Sequence, residues 1–179
     1  MDAPMTARLR LCIMRHGETE ENIARILQGH LPGRLTATGR QQAVDAAREL
    51  PLSDFDAVVS SDLQRVTDTV RLIFNGTPPC PWERLEIFRE IDWGSMTGMH
   101  IPEVNMRHLA EDVETREQLY CRAGKALDYL RLHHAGHTVL VVSHGLFLRS
   151  LQAQAEGIPL CEIRKMPRMG NCEHRWLEV

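Results

Sequence analysis

Two runs of apolar residues in this chain each deliver a histidine followed by a glycine: Arg15-His16-Gly17 and Ser143-His144-Gly145. Imidazole can attack phosphorus, move protons or ligate a metal, and its neighbours decide which. Arginine stands directly before His16, and a second, Arg65, closes Ser60-Ser61-Asp62-Leu63-Gln64-Arg65. A single histidine after a strand is usually a hydrogen-bonded cap, and a single arginine early in a helix is usually solvated. Capping does not require the same pattern at two strand ends. Two imidazoles and two guanidiniums gathered at one point would call for an anion. A phosphoryl group fits, because arginine forks bind its oxygens bidentately. Free N–H groups at helix starts near Gly17 and Gly145 would add donors.

The surrounding pattern supplies elements that can gather these residues. Arg8 to Met14 reads as a strand running into Arg15-His16-Gly17, and Asp56 to Ser60 as a second. Thr138 to Ser143 is wholly apolar up to its last residue, as in a strand buried on both faces of a parallel sheet. Thr36 caps a helix whose buried stripe is Ala43, Ala46, Ala47 and Leu50. Leu63, Val66, Val70, Ile73 and Phe74 recur at helical spacing until Gly76 and Pro78-Pro79, which puts Arg65 in the first turns. Residues 80–102 read as irregular, anchored by Leu85, Ile87 and Trp93, with turns at Gly94 and Gly98. A longer amphipathic helix follows from about Glu114 to His134, with Gly136 at its end. Leu148, Leu151 and Ala155 carry a final helix, and Cys172 to Val179 can form one more strand. Strands alternating with helices predict a three-layer α/β/α sandwich with a largely parallel sheet, as a single domain over 1–179. In such sheets the crevice lies beyond the carboxyl ends of the strands, where Arg15, His16, Arg65 and His144 all fall.

With 179 residues, 25% charged and a formal net charge of −3, the chain gives no electrostatic reason to expect nucleic acid. Five cysteines without a C-x-x-C pair suggest neither a disulfide framework nor a zinc knuckle, but reduced, mostly packed thiols. No stretch is apolar enough for a membrane span, and Met1 to Arg10 lacks the apolar run of a secretory signal. The expectation is a cytoplasmic protein. His133-His134-Ala135-Gly136-His137 has the look of a metal cluster, but reads more simply as a histidine-rich helix end suited to the helix dipole. The basic loop from His30 to Arg34 is either solvated or, as its place in the chain favours, in contact with an acidic substrate tail.

Four segments resemble the histidine phosphatase superfamily, which includes the cofactor-dependent phosphoglycerate mutases. Arg15-His16-Gly17-Glu18-Thr19, with Asn22 behind it, is similar to the family's R-H-G-x-[ST] opening. Gln28-Gly29 through Leu35-Thr36-Ala37-Thr38-Gly39-Arg40-Gln41-Gln42-Ala43 resembles its L-T-x-x-G-x-x-Q-A pattern. Ser60 to Arg65 with Thr69 resembles the segment of the second phosphate arginine, and Val142 to Gly145 that of the second histidine. The resemblance implies that His16 is the nucleophile, with Arg15, Arg65 and His144 holding the phosphoryl oxygens. Asn22, Gln28, Gly29 and the backbone of Gly145 would line the phosphate cradle. Glu90, in Arg89-Glu90-Ile91-Asp92-Trp93-Gly94, looks like the family's proton donor, with Glu86 and Asp92 as competitors for that role. The segment departs from the family where Met96-Thr97-Gly98 replaces a commoner W-E-G.

What this implies is a metal-independent, cofactor-free phosphomonoesterase acting on a small phosphorylated metabolite, through a phosphohistidine. Sugar phosphates, phosphoglycerate and a ribazole phosphate all remain open as substrates. The alternatives are a mutase-like phosphotransferase and a non-catalytic phosphate-binding member of the fold. An idle relative would have lost the nucleophile, an arginine or the acid, and none is missing. Mutases of the resembled kind place an arginine and a tyrosine just after the glutamate and carry a long insertion beyond. Here Ile91, Asp92, Trp93 and Gly94 follow, and only a short connection leads to the next helix.

Overall fold

The computed structural model describes residues 8–179, so the reading of Met1 to Arg10 lies, for its first seven residues, outside the described residues. Strand β1 (Arg10–Arg15) is followed by a single helical turn, α1 (Glu20–Ile23), and by α2 (Ala37–Glu49). Next come β2 (Ala57–Ser60), α3 (Gln64–Ile73) and β3 (Trp82–Arg84). The chain closes with α4 (Arg116–His133), β4 (Thr138–Ser143), α5 (Gly145–Glu156) and β5 (His174–Glu178). The sheet order is β3-β2-β4-β1-β5, parallel except for β5, which runs antiparallel to β1. This is the expected three-layer α/β/α arrangement.

Alternation along the strands divides the core in two, because successive side chains point to opposite faces. Leu11, Ile13, Val59, Val139 and Val141 pack with Leu119, Ala123 and Leu127 of α4 and with Phe147 and Leu151 of α5. Cys12, Met14, Val58, Leu140 and Val142 pack on the other face with Ala43 and Ala46 of α2 and Val66, Val70 and Ile73 of α3. Both faces of the central strands are therefore dry, which is why Thr138 to Ser143 reads as a nearly unbroken apolar run. Each fully buried aliphatic side chain contributes about 1.5–3 kcal/mol relative to exposure.

The helix starts follow their capping chemistry. Thr36 Oγ1 accepts from Gly39 N at 2.8 Å, and Thr115 and Gln118 form a reciprocal capping box that starts α4 just after the expected Glu114. Gly136, at φ +81°, turns the chain from α4 into β4.

Two expectations need correction. Residues 80–102 are not wholly irregular: β3 lies among them, too short and too polar to show a two-residue period, and exists because it pairs with β2. Of the five thiols only Cys12 and Cys172 are buried, while Cys121 and Cys161 are exposed, because helical periodicity turns them outward. The histidine cluster lies, as expected, at the end of α4, with His133 in its last turn; His134 Nε2 lies 2.9 Å from Glu83 of β3, and the ring of His133 packs 4.3 Å from that of Tyr129. Among the described residues no group of three or more His, Cys, Asp or Glu side chains is arranged to hold a metal. No helix among them is long and apolar enough to cross a membrane.

Candidate active site

Strand register assembles the site. Arg15 pairs with Ser143, and Ser60 with Val142, so β1, β4 and β2 end level. The next residues emerge side by side, with His16 N donating to Ser143 O at 3.0 Å and Ser61 N to Val142 O at 3.1 Å. Two glycines let the segment after β1 pass tightly against α2: a Cβ on Gly17 would stand 2.5 Å from Gly39 O, and one on Gly39 would collide with Glu18 O. The glycines of the first two motifs are thus two sides of one close approach.

His16 is 3% exposed, and its Nδ1 lies 2.7 Å from the carbonyl oxygen of Gly17. A carbonyl only accepts, so Nδ1 carries the proton and Nε2 keeps its lone pair. Arg65 Nε donates to that nitrogen at 3.3 Å. Burial, then the positive charges of Arg65 and Arg15, hold the His16 pKa well below the ordinary imidazole value. The ring is neutral at pH 7. His144 is fully buried, packs edge-on against His16 with centroids 5.3 Å apart, and is depressed in the same way by burial, Arg65 and His16. Its Nε2 lies 2.9 Å from Ser61 Oγ, and its Nδ1 has no partner among the described residues.

The arginines are held from behind. Arg15 donates from Nη1 to Met169 O at 2.9 Å, and its buried Nε has no protein partner among the described residues. Arg65, 1% exposed, donates from Nη2 to Gly29 O at 2.8 Å and from Nη1 to Leu31 O. Burial lowers its pKa to about 10, which still leaves it charged at neutral pH. Three of its N–H groups are engaged, and a guanidinium has five. Gly33, at φ +71°, lets the loop press onto this side chain, since a Cβ there would meet Arg65 Cδ at 2.8 Å. Glu90 Oε1 accepts from Ile91 N at 3.0 Å and Phe147 N at 3.1 Å, and Oε2 from Leu146 N at 3.2 Å.

Arg15, His16, Asn22, Gln28, Gly29, Arg65 and Glu90 line one cavity of about 130 Å³, walled by Ile26, Leu27, Trp93 and Ile101. His144 and Gly145 do not line it: His144 backs His16, and a Cβ on Gly145 would lie 3.5 Å from Arg15 Nε. Of the three candidate acids only Glu90 reaches the cavity. Glu86 pairs with Arg89 at 3.0 Å, and Asp92 accepts from Gly94 N at 2.8 Å beside a separate open groove of about 710 Å³. That larger groove holds neither His16 nor Arg15 nor Arg65.

Most of the expected backbone donors near the site already have partners, and Gly145, whose N–H is among those expected, does not line the cavity. Gly17 does not start a helix, and its N–H donates to Thr69 Oγ1 at 3.1 Å. At the start of α5 the amides of Leu146 and Phe147 donate to Glu90, so this helix start holds the Glu90 carboxyl group in place. Gly29 contributes a carbonyl to Arg65, and Gln28 accepts from Thr19 Oγ1 at 3.1 Å. Asn22 belongs to the capping box of α1. In the basic loop Arg34 forms a solvent-exposed pair with Glu20 at 2.7 Å, and His30 donates to Glu90 O at 3.0 Å.

Sequence reading missed the segment before β5, because its contacts span most of the chain. Cys172 N donates to Arg15 O at 3.0 Å, and Asn171 Nδ2 to His16 O at 3.0 Å. A mostly parallel sheet whose carboxyl edge brings His16, Arg15 and Arg65 to one small cavity, with His144 behind His16, is the arrangement of an α/β protein whose cationic cavity could take an anion. A sequence model of the histidine phosphatase superfamily (branch 1) matches residues 11–179, and the chain belongs to that superfamily. It is 30% identical over 150 residues to the uncharacterized phosphatase PhoE of Bacillus subtilis, covering 82% of this chain and 77% of that protein. It is 30% identical over 178 residues to the probable phosphoglycerate mutase GpmB of Shigella dysenteriae, covering 92% and 82%. In structure it is similar to Bacillus stearothermophilus YhfR, with TM-score 0.87, 28% identity and coverage of 96% and 91%. Phosphatase and mutase activities both fit this membership.

Proposed function

We propose that the chain is a cytoplasmic phosphomonoesterase, working as one domain over 1–179, which hydrolyses a small phosphorylated metabolite through a phosphohistidine and without a metal. The observation that carries this reading is the neutral His16. Its Nε2 lone pair is presented in a cavity shared with Arg15, Arg65 and Glu90. A substrate phosphoryl oxygen takes up the unspent N–H groups of both arginines, and Arg65 Nε turns from His16 to the substrate. Nε2 then attacks phosphorus in line as the bond to the leaving oxygen breaks, and Glu90 gives that oxygen its proton. The arginines stabilise charge spreading over the equatorial oxygens, the task that a metal performs in other phosphoryl-transfer sites. His144, which does not line the cavity, packs edge-on behind the ring of His16 and holds the nucleophile in place. Water next attacks the phosphohistidine, Glu90 takes its proton, and phosphate leaves with His16 restored.

Hydrolysis is favoured over re-transfer because residues 99–114 contribute only Ile101 to the cavity wall, leaving water a short path to the intermediate. The test is acid quenching during turnover of p-nitrophenyl phosphate. Phosphate should be found on His16, and His16→Ala should lose essentially all turnover while keeping the wild-type circular dichroism. Undiminished turnover in His16→Ala would refute the mechanism.

A further inference from the structure

Arg122 lies on α4, outside the cavity, yet its side chain is saturated around the Glu90 segment. Nη1 donates to Ile87 O at 2.9 Å and Arg89 O at 2.7 Å. Nη2 donates to Glu90 O at 3.2 Å and to Glu114 Oε2 at 2.7 Å, and Nε donates to Glu114 Oε1 at 2.8 Å. All five guanidinium N–H groups are thereby used. Glu114 Oε2 also accepts from Asp92 N at 3.0 Å, so the ion pair grips the backbone on both sides of Glu90. The guanidinium carbon stands 5.2 Å from the ring of Phe147, whose own N–H holds Glu90 Oε1. Segment 86–91 is a short 3-10 turn followed by extended chain, with no ladder of its own to fix it.

We infer that Arg122, locked by Glu114, is the positioning residue that aims the Glu90 carboxyl at the leaving oxygen. This rests on the reading of Glu90 as proton donor. A merely structural ion pair would weaken the fold and lower every activity alike. A positioning residue acts selectively, because an alkoxide must be protonated as it departs whereas a nitrophenolate leaves unaided. Lysine retains the charge of Arg122 but has no planar fork to span three carbonyls and a carboxylate.

The experiment compares kcat/KM, which reports the steps up to the phosphoenzyme, for p-nitrophenyl phosphate and for β-glycerol phosphate. The proteins are wild type, Arg122→Lys, Glu90→Gln and the double variant. Arg122→Lys should lower kcat/KM on the glycerol ester about 10–100-fold, the scale of a misplaced proton donor, and change the nitrophenyl ester little. Within Glu90→Gln, adding Arg122→Lys should change neither value, because the group it aims is gone. A parallel fall on both esters, or a fall on the glycerol ester that persists in the Glu90→Gln background, would overturn the inference. Should Arg122→Lys fail to fold, Glu114→Gln, which keeps the side-chain volume and one acceptor oxygen, carries the same comparison and the same expected outcomes. If wild type forms phosphohistidine on His16 and Arg122→Lys matches it on both esters, the inference alone fails. If wild type forms none, the reading of the site fails with it.

Discussion

Replacing Thr69 with valine isolates one hydrogen bond that holds the nucleophile loop. Thr69 is 0% exposed, its Oγ1 accepts from Gly17 N at 3.1 Å, and it donates to Arg65 O at 2.7 Å. Valine has the same shape without the hydroxyl. Arg65 O lies within α3, but Gly17 N has no other acceptor among the described residues and would be left buried and unpaired. An orphaned buried donor costs about 1–3 kcal/mol. In a chain of this size that lowers Tm by roughly 2–12 °C. The larger effect should fall on activity, because Gly17 O orients Nδ1 of His16 and a displacement near 1 Å costs on the order of 10²-fold in rate. Thermal melts, urea titration and p-nitrophenyl phosphate turnover measure both effects. Thr69→Ser is the control: it loses one methyl, about 1 kcal/mol, keeps the hydroxyl, and should retain near wild-type turnover. The reasoning is refuted if Thr69→Val melts and turns over like wild type, or if Thr69→Ser loses as much activity as Thr69→Val.

Because the imidazoles of His16 and His144 are depressed by burial and by nearby positive charge, neither should titrate in the folded protein near the ordinary value of 6.5 when followed by NMR. The unfolded chain binds those protons below that pH and the folded chain does not, so stability should fall as pH drops below about 6.5. A melting temperature that rises on such acidification would contradict this sign. With 3-phosphoglycerate and 2,3-bisphosphoglycerate supplied together, free phosphate should accumulate faster than 2-phosphoglycerate; rapid isomerisation would assign the chain to the mutases instead. EDTA should leave turnover unchanged and vanadate should inhibit it, whereas loss on chelation with recovery on added zinc or magnesium would remove the metal-free mechanism.

The main secondary structure was legible because burial imposes a period. Thr138 to Ser143 could only be a strand dry on both faces, and the apolar spacing of α3 placed Arg65 in its first turns. Strand β3 and the single turn α1 left no such signal, since three or four residues cannot establish a period and each element forms around contacts made elsewhere. Glu90 was reached by resemblance and separated from Glu86 and Asp92 only by geometry, because all three are carboxylates on one irregular stretch.

Residue type and local order by themselves determined which chemistry is available: imidazoles at two strand ends, guanidiniums beside and beyond them, and glycines where backbones had to touch. Those properties are encoded within a few residues, so a linear reading recovers them. Tertiary structure alone decided how the groups are used. The level ends of β1 and β4 set His144 behind His16 rather than on the cavity wall, and α5 spends the amides of Leu146 and Phe147 on Glu90. Arg65 is braced by carbonyls more than thirty residues earlier, and Arg15 and His16 by a segment more than 150 residues later. Hydrogen-bond partners so far apart in the chain have no local signature, because what joins them is the register of the sheet and the packing of both its faces.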